Sequence, residues 1–383
     1  MFIESMRLTD FRNFTLQEME FSRGINIFCG DNAQGKTNLL EAISLCSTGR
    51  SFRGAKDRDM IRLGCEEAHI RLSGQKKEIP YRIDLHLRRS AAKGIAVNSV
   101  PIRRTAELIG LLHVVFFSPD DLQLVKSGPA ERRRFIDMEL CSLDAGYLKD
   151  LTLYHRCLEQ RNALLKTIGP NDRIPDTLDV WDGQLVQTGE KIIRARRKFI
   201  GELSPVVREI HAKISGGRED LSVSYEPDTE EDTLAARLSE NRSRDLKFRA
   251  TSAGPHRDDL RFGVKPAGDG KNPRIDLRTF GSQGQQRTAA LSAKMAEIEM
   301  IRRRTGEPPV LLLDDVLSEL DAGRQKSLLS EISDTQTMIT CTGLDELVRS
   351  RLHIDRIFRV RTGSAQEVSS MESASAETEE TDE

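Results

Sequence analysis

The chain has 383 residues, 31% of them charged and 38% hydrophobic, with a mean hydropathy of −0.46 and a formal net charge of −2. That length allows two domains, or one large domain carrying an insertion. No apolar run approaches the roughly 18–20 residues of a membrane span, and Met1-Phe2-Ile3-Glu4 lacks the layout of a signal peptide, so a cytoplasmic protein with no membrane partner is expected. The six cysteines include no C-x-x-C pair and indicate neither a zinc site nor a disulfide framework.

Residues 2–8, 16–21 and 25–29 read as strands. Directly after them comes Gly30-Asp31-Asn32-Ala33-Gln34-Gly35-Lys36-Thr37, of the form G-x-x-x-x-G-K-[ST], followed by the helix former Asn38-Leu39-Leu40-Glu41-Ala42-Ile43. In such a loop the backbone amides cradle phosphates, the lysine reaches the β and γ phosphates, and the hydroxyl sits on Mg²⁺. The helix N-terminus adds free amides and the positive end of its dipole. Gly49-Arg50-Ser51-Phe52-Arg53-Gly54 is a basic turn too polar for core. Strands are predicted over residues 68–72, 81–87 and 111–117.

From Ser118 the apolar period changes from 2 to about 3.6. Ser118-Pro119-Asp120-Asp121 is a helix-start signal, and Gly128-Pro129 opens a further helix. Leu151, Tyr154, Leu158 and Leu165 form one stripe. Apolar doublets then recur every seven residues at Leu185-Val186, Ile192-Ile193, Phe199-Ile200 and Val206-Val207, with a break expected at Ser204-Pro205. So few heptads predict helices packed as a hairpin or small bundle, ending near Arg249. Strands return over 260–264 and 274–277, a helix over 285–304, and buried strands over 310–313 and 337–341.

Val310-Leu311-Leu312-Leu313-Asp314-Asp315 carries two carboxylates to the end of a strand. There Asp314 is expected to hold, with Thr37, the Mg²⁺ of a bound nucleotide, and Asp315 to orient an attacking water. Gly281-Ser282-Gln283-Gly284-Gln285-Gln286-Arg287 is a second glycine turn opening a helix, and Ser318-Glu319-Leu320-Asp321 follows the carboxylates. Basic clusters at Arg103-Arg104, Arg132-Arg133-Arg134, Lys191 with Arg194 and Lys198, residues 242–249 and Arg302-Arg303-Arg304 are candidates for backbone contact with DNA, because aromatics are only 5% and offer little for single-strand stacking. The last 20 residues hold seven acidic residues and no basic one, leaving the body at +5 without them, and read as a disordered tail.

Taken together these stretches, with Leu8-Thr9-Asp10-Phe11-Arg12-Asn13-Phe14 and Gly254-Pro255-His256-Arg257-Asp258-Asp259-Leu260, resemble the ABC-type ATPase heads in the branch shared with SMC proteins, over residues 8–321. The resemblance implies an α/β head, a mixed-sheet lobe with the phosphate loop and an inserted helical lid. The expected boundaries are 1–117 for the N-terminal half of the lobe, 118–250 for the lid, 251–362 for the C-terminal half and 363–383 for the tail. It also implies ATP and Mg²⁺ as ligands, with Lys36, Asp314 and Asp315 as the catalytic set. Ser282, Gly284 and Gln285 would complete the site of a second copy, so that ATP drives formation of a homodimer. Either Arg50 or Arg53 would reach the nucleotide. For the recombination-mediator members of this branch the expectation is DNA repair at replication gaps: binding of single-stranded/duplex junctions, recombinase loading with RecO- and RecR-like partners, a place in the SOS response, and weak DNA-stimulated ATPase activity as a switch. A minimal SMC-like head that bridges DNA or protein is the alternative. A transporter ATPase subunit is disfavoured, since Thr340-Cys341-Thr342 stands where such heads carry a histidine.

Overall fold

The computed structural model describes residues 1–383 apart from 170–171, 269–272, 318–319, 321, 333, 344–352 and 369–383. In chain order its strands and α-helices are β1 (Phe2–Phe11), β2 (Phe14–Glu20), β3 (Ile25–Cys29), α1 (Lys36–Thr48), β4 (Glu67–Lys76), β5 (Ile79–Arg88), β6 (Gly94–Val97), β7 (Val100–Pro101) and β8 (Val114–Phe117). There follow α2 (Gln123–Lys126), α3 (Pro129–Leu143), α4 (Ala145–Thr167), α5 (Thr177–Ile214), β9 (Glu219–Glu226), α6 (Leu234–Glu240), α7 (Arg242–Phe248), β10 (Asp259–Pro266), β11 (Ile275–Asp276), α8 (Leu277–Phe280) and α9 (Gln283–Thr305). The last are β12 (Val310–Asp314), α10 (Ala322–Glu331), β13 (Thr337–Cys341), β14 (Arg356–Arg361) and β15 (Ser364–Val368).

Two compact units result, one of residues 1–121 with 297–383 and the other of residues 122–296. In the first, an antiparallel sheet of order β2-β1-β4-β5-β6-β7 faces a second sheet of order β15-β14-β3-β13-β12-β8, parallel except for β15. Helix α1 lies between them, touching β4 and β5 on one side and β8, β12 and β13 on the other. Sequence explains the sandwich. In β4 and β5 alternate residues are apolar, so Ala68, Ile70, Leu72, Ile83, Leu85 and Leu87 turn inward to meet Leu39, Leu40 and Ile43 of α1. By contrast β3 and the first four residues of β12 are buried on both faces, as parallel strands under cover must be, with Asn26 the one polar residue among them and its Oδ1 accepting from Ser22 N at 2.8 Å. The parallel order places the C-terminal ends of β3, β12 and β13 side by side, the edge at which such sheets bind ligands.

In the second unit α4 and α5 pack along each other, and α5 also covers β9 of a small sheet ordered β11-β10-β9. Four expectations are corrected here. Helix α5 runs through Pro205 without a break. Proline removes one backbone hydrogen bond there, but Leu203, Val206, Val207 and Ile210 remain on the buried stripe, and Ser204 Oγ accepts from Val223 N of β9 at 3.2 Å. The insertion is not all helical, because β9 lies inside residues 118–250. Residues 251–296 group with the insertion rather than with the nucleotide lobe, since β10 pairs with β9 from Asp259 to Pro266. The acidic tail was expected to start at residue 363, yet residues 364–368 form β15 against β14; the remainder, 369–383, lies outside the described residues.

Candidate nucleotide site

The loop between β3 and α1 is shaped by glycines that no other residue could replace without a shift. Gly30 and Gly35 have φ of 152° and 115°. A Cβ on Gly30 would lie 2.3 Å from the Val360 carbonyl oxygen, and one on Gly35 2.6 Å from the Asn13 amide. Lys36 is buried and donates from Nζ to the carbonyls of Gly30 (2.6 Å) and Asp31 (3.0 Å), so its ammonium is held over the loop. Helix α1 starts at Lys36 with no side-chain cap and no acidic residue in its first turn. Among the described residues, the N–H groups of Ala33, Gly35, Lys36 and Thr37 reach no acceptor. Orphan amides, an ammonium and a helix N-terminus together fit a phosphate chain.

The two carboxylates close the other side. Thr37 Oγ1 donates to Asp314 Oδ1 at 2.9 Å, and Thr340 Oγ1 donates to the same oxygen at 2.8 Å while accepting from Asp315 N at 3.0 Å. Burial pushes the Asp314 carboxyl above its ordinary range, against the two threonine hydroxyls that favour its charged form. A carboxylate oxygen beside the loop hydroxyl is the donor set a hard cation takes, so Thr37 and Asp314 fit Mg²⁺. Asp315 has φ of 51°, a left-handed conformation that aspartate tolerates, where β12 ends.

Around the loop a set of buried polar contacts fixes its position. Arg12 grips Glu41 of α1 with Nε and Nη2 (2.7 and 2.8 Å), and Ser51 Oγ donates to Glu41 Oε1 at 2.5 Å. Asn13 Nδ2 donates to the Gln34 carbonyl at 2.8 Å, and Gln34 Oε1 accepts from Thr362 N at 2.6 Å. Arg53 Nη1 donates to Asn38 Oδ1 at 3.2 Å and adds its charge to the field at Asp314. Arg50, exposed, meets Thr48 through its backbone. Of the two arginines, Arg53 is the one at the site.

Ser282, Gly284 and Gln285 belong to the other unit, at the start of α9. Ser282 and Gln285 exchange two hydrogen bonds, Ser282 N to Gln285 Oε1 (2.9 Å) and Gln285 N to Ser282 Oγ (3.2 Å), a reciprocal capping box. Gln285 Nε2 also donates to Glu219 Oε1 at 2.8 Å. Ser282 and Gly284 are exposed. Ser318, Glu319 and Asp321 lie outside the described residues.

A family model described as an AAA domain matches residues 5–197. DNA replication and repair protein RecF of Agathobacter rectalis is 51% identical over 366 residues, covering 96% of this chain and 99% of the relative. RecF of Clostridium perfringens is 41% identical over 371 residues, covering 96% and 100%. The chain belongs to the RecF family. A solved structure of the recombination mediator protein RecF with ATP, in the RecFOR pathway, aligns with a TM-score of 0.87 at 34% identity, covering 96% of this chain and 98% of that one. The Smc head of Pyrococcus furiosus aligns at 0.58 with 18% identity and shares the fold. The head architecture expected from the motifs is therefore that of RecF and Smc heads.

Sequence reasoning gave no role to four residues of this RecF-family site. Arg12, Asn13 and Glu41 stood inside quoted motifs, but their partners are 21 to 29 positions away. For Thr340 the sequence shows only that no histidine stands there, although a hydroxyl near the C-terminal end of a buried strand, β13, which pairs in parallel with β12 and sets Thr340 opposite Asp314, is a usable signal. Two of the basic clusters are corrected in part: in one, Arg132 is bound to Asp259 (2.6 and 2.9 Å) and Arg133 donates to the Asp258 carbonyl, and in the other Arg242 joins Asp179 and Asp182. These guanidinium groups hold the second unit together.

Proposed function

We propose that the chain is an ATP-dependent DNA-binding protein of recombinational and replication-gap repair, working as a homodimer that ATP assembles. In this reading Gly30 to Thr37 hold the triphosphate, Thr37 and Asp314 hold Mg²⁺, and Ser282, Gly284 and Gln285 of a second copy complete the site. Mg²⁺ neutralises charge on the phosphates when bound. Lys36 leaves its carbonyl partners for phosphate oxygens, Arg53 adds a cation, and Asp315 orients water. Aspartate reaches less far than the glutamate of faster ABC ATPases, which favours slow, switch-like hydrolysis. The observation that carries the nucleotide reading is the Thr37–Asp314 hydrogen bond at a loop with orphan amides. The exposed Ser282 turn supports the dimer.

The full-length match to RecF relatives supports action on DNA in repair, with single-strand/duplex junctions as substrate, RecO- and RecR-like partners, recombinase loading, the SOS response and a cytoplasmic location. Arg244 and Lys247 flank the exposed ring of Phe248 in the second unit, a surface suited to phosphates and an unstacked base. Sedimentation with ATP, gapped DNA and a RecR-like partner tests the scheme. Lys36→Ala should lose nucleotide, whereas Ser282→Arg should keep nucleotide yet stay monomeric. A Ser282→Arg chain that dimerises normally with ATP, or equal DNA affinity with and without ATP across a salt series, would sink it.

A further inference from the structure

Away from the nucleotide loop, the outer face of the antiparallel sheet carries two histidines side by side. His69 of β4 is paired in register with His86 of β5, and their rings stack with centroids 4.1 Å apart at 19°. Glu67 stands two residues before His69 on the same strand, hence on the same face. Its Oε2 lies 2.8 Å from His86 Nε2 and 3.9 Å from His69 Nε2. This is the one grouping of three such potential ligands among the described residues, with the donor atoms all within 4.8 Å of one another.

We infer that Glu67, His69 and His86 form a binding site for a borderline divalent transition ion, with Zn²⁺ the natural occupant. Two imidazole nitrogens and a carboxylate oxygen suit zinc and its neighbours; Mg²⁺ prefers oxygen alone, so this chemistry differs from that of Thr37 and Asp314. Zinc–ligand bonds of about 2.0–2.2 Å in a tetrahedron put donors roughly 3.3 Å apart. The observed 2.8 and 3.9 Å bracket that spacing, so small rotations of exposed side chains suffice. One proton can serve the Glu67 oxygen and a single imidazole, whereas a cation serves all three groups at once. The backbone is already set, because β4 is held in the ladder by β1 on one side and β5 on the other, with Thr9 and His86 flanking His69. Three protein ligands leave a fourth position open to solvent or to an external donor. The strand separation of the histidines, 17 positions in sequence, hides this pattern from any reading of short spacings.

Zinc titration of the full-length, tag-free chain without ATP, followed by calorimetry and by visible absorption of the cobalt(II) form, tests the assignment. The expected result is one saturable equivalent, insensitive to millimolar Mg²⁺, with affinity falling on the order of tenfold or more in His69→Ala and in His86→Ala. Glu67→Gln should weaken binding while leaving the metal-free melting temperature unchanged, since all three side chains face outward. His353→Ala should bind as the parent does. Absence of saturable binding would overturn the inference. So would zinc binding that survives both histidine substitutions, which would place the ion on the cysteines.

Discussion

Thr340→Val removes one hydroxyl and keeps the shape, and the structure sets its cost. The hydroxyl donates to Asp314 Oδ1 and accepts from Asp315 N. A hydrogen bond to a charged group is worth about 1.5–3 kcal/mol, and water can reach the half-buried Asp315 amide, so a loss of about 2 kcal/mol is expected. For a unit of this size that lowers its melting temperature by roughly 4–8 °C. The loss should depend on pH. Asp314 already has its pKa raised by burial, so above 3.8 the folded chain binds more protons than the unfolded one and stability falls as pH rises through that window. Taking away the Thr340 donor raises the pKa further. The deficit is therefore largest at pH 8, where the carboxylate is charged, and shrinks as pH falls toward the raised pKa. Denaturant titrations from pH 8 to 4.5, on parent and variant, measure it. An equal deficit across that range, or none, would refute the role given to Thr340 as the hydrogen-bond donor that keeps Asp314 charged.

Arg12→Ala should cost the nucleotide unit about 3–5 kcal/mol, because the Glu41 carboxylate it leaves is fully buried with Ser51 as its remaining donor; urea unfolding that changes by less than about 1 kcal/mol would contradict this. His256 has its pKa lowered to about 4 by burial, with Tyr154 and Thr251 on its two ring nitrogens. The unfolded chain takes up a proton below pH 6.5 that the folded one refuses, so stability falls by up to about 3 kcal/mol between pH 6.5 and 4. His256→Gln should flatten that slope, read by unfolding of the insertion across the same pH range, and an unaltered slope would rule the histidine out as its source.

What the sequence made legible follows from range. The loop from Gly30 to Thr37 and the strand ending at Asp314 are local patterns whose chemistry is fixed by residue type and spacing, and their meeting at 2.9 Å follows once both strands lie in one parallel sheet. Errors occurred where tertiary packing outweighs a local rule. Pro205 is a helix breaker by its missing N–H, yet four buried apolar neighbours keep α5 continuous. Ser364 to Val368 looks like the start of an acidic tail, but Ala365 is buried and its N–H and carbonyl are both taken by the side chain of Gln17, a partner 348 positions away.

The basic clusters teach the same lesson in electrostatic form. Counting charges along the chain made Arg132, Arg133 and Arg242 surface candidates for DNA, whereas the fold places each against acids of the Gly254–Leu260 motif or of α5. Arg196 is more extreme, fully buried between Asp137 and Asp258. Such buried pairs are costly to form and more costly to break singly. The Gly254–Leu260 stretch therefore does its work by geometry: Asp258 and Asp259 tie β10 to α3 and α5, and the backbone of Pro255 accepts from Arg196. The cations left for nucleic acid are those with no acid in reach, and exposure decides that, which a one-dimensional charge count cannot read.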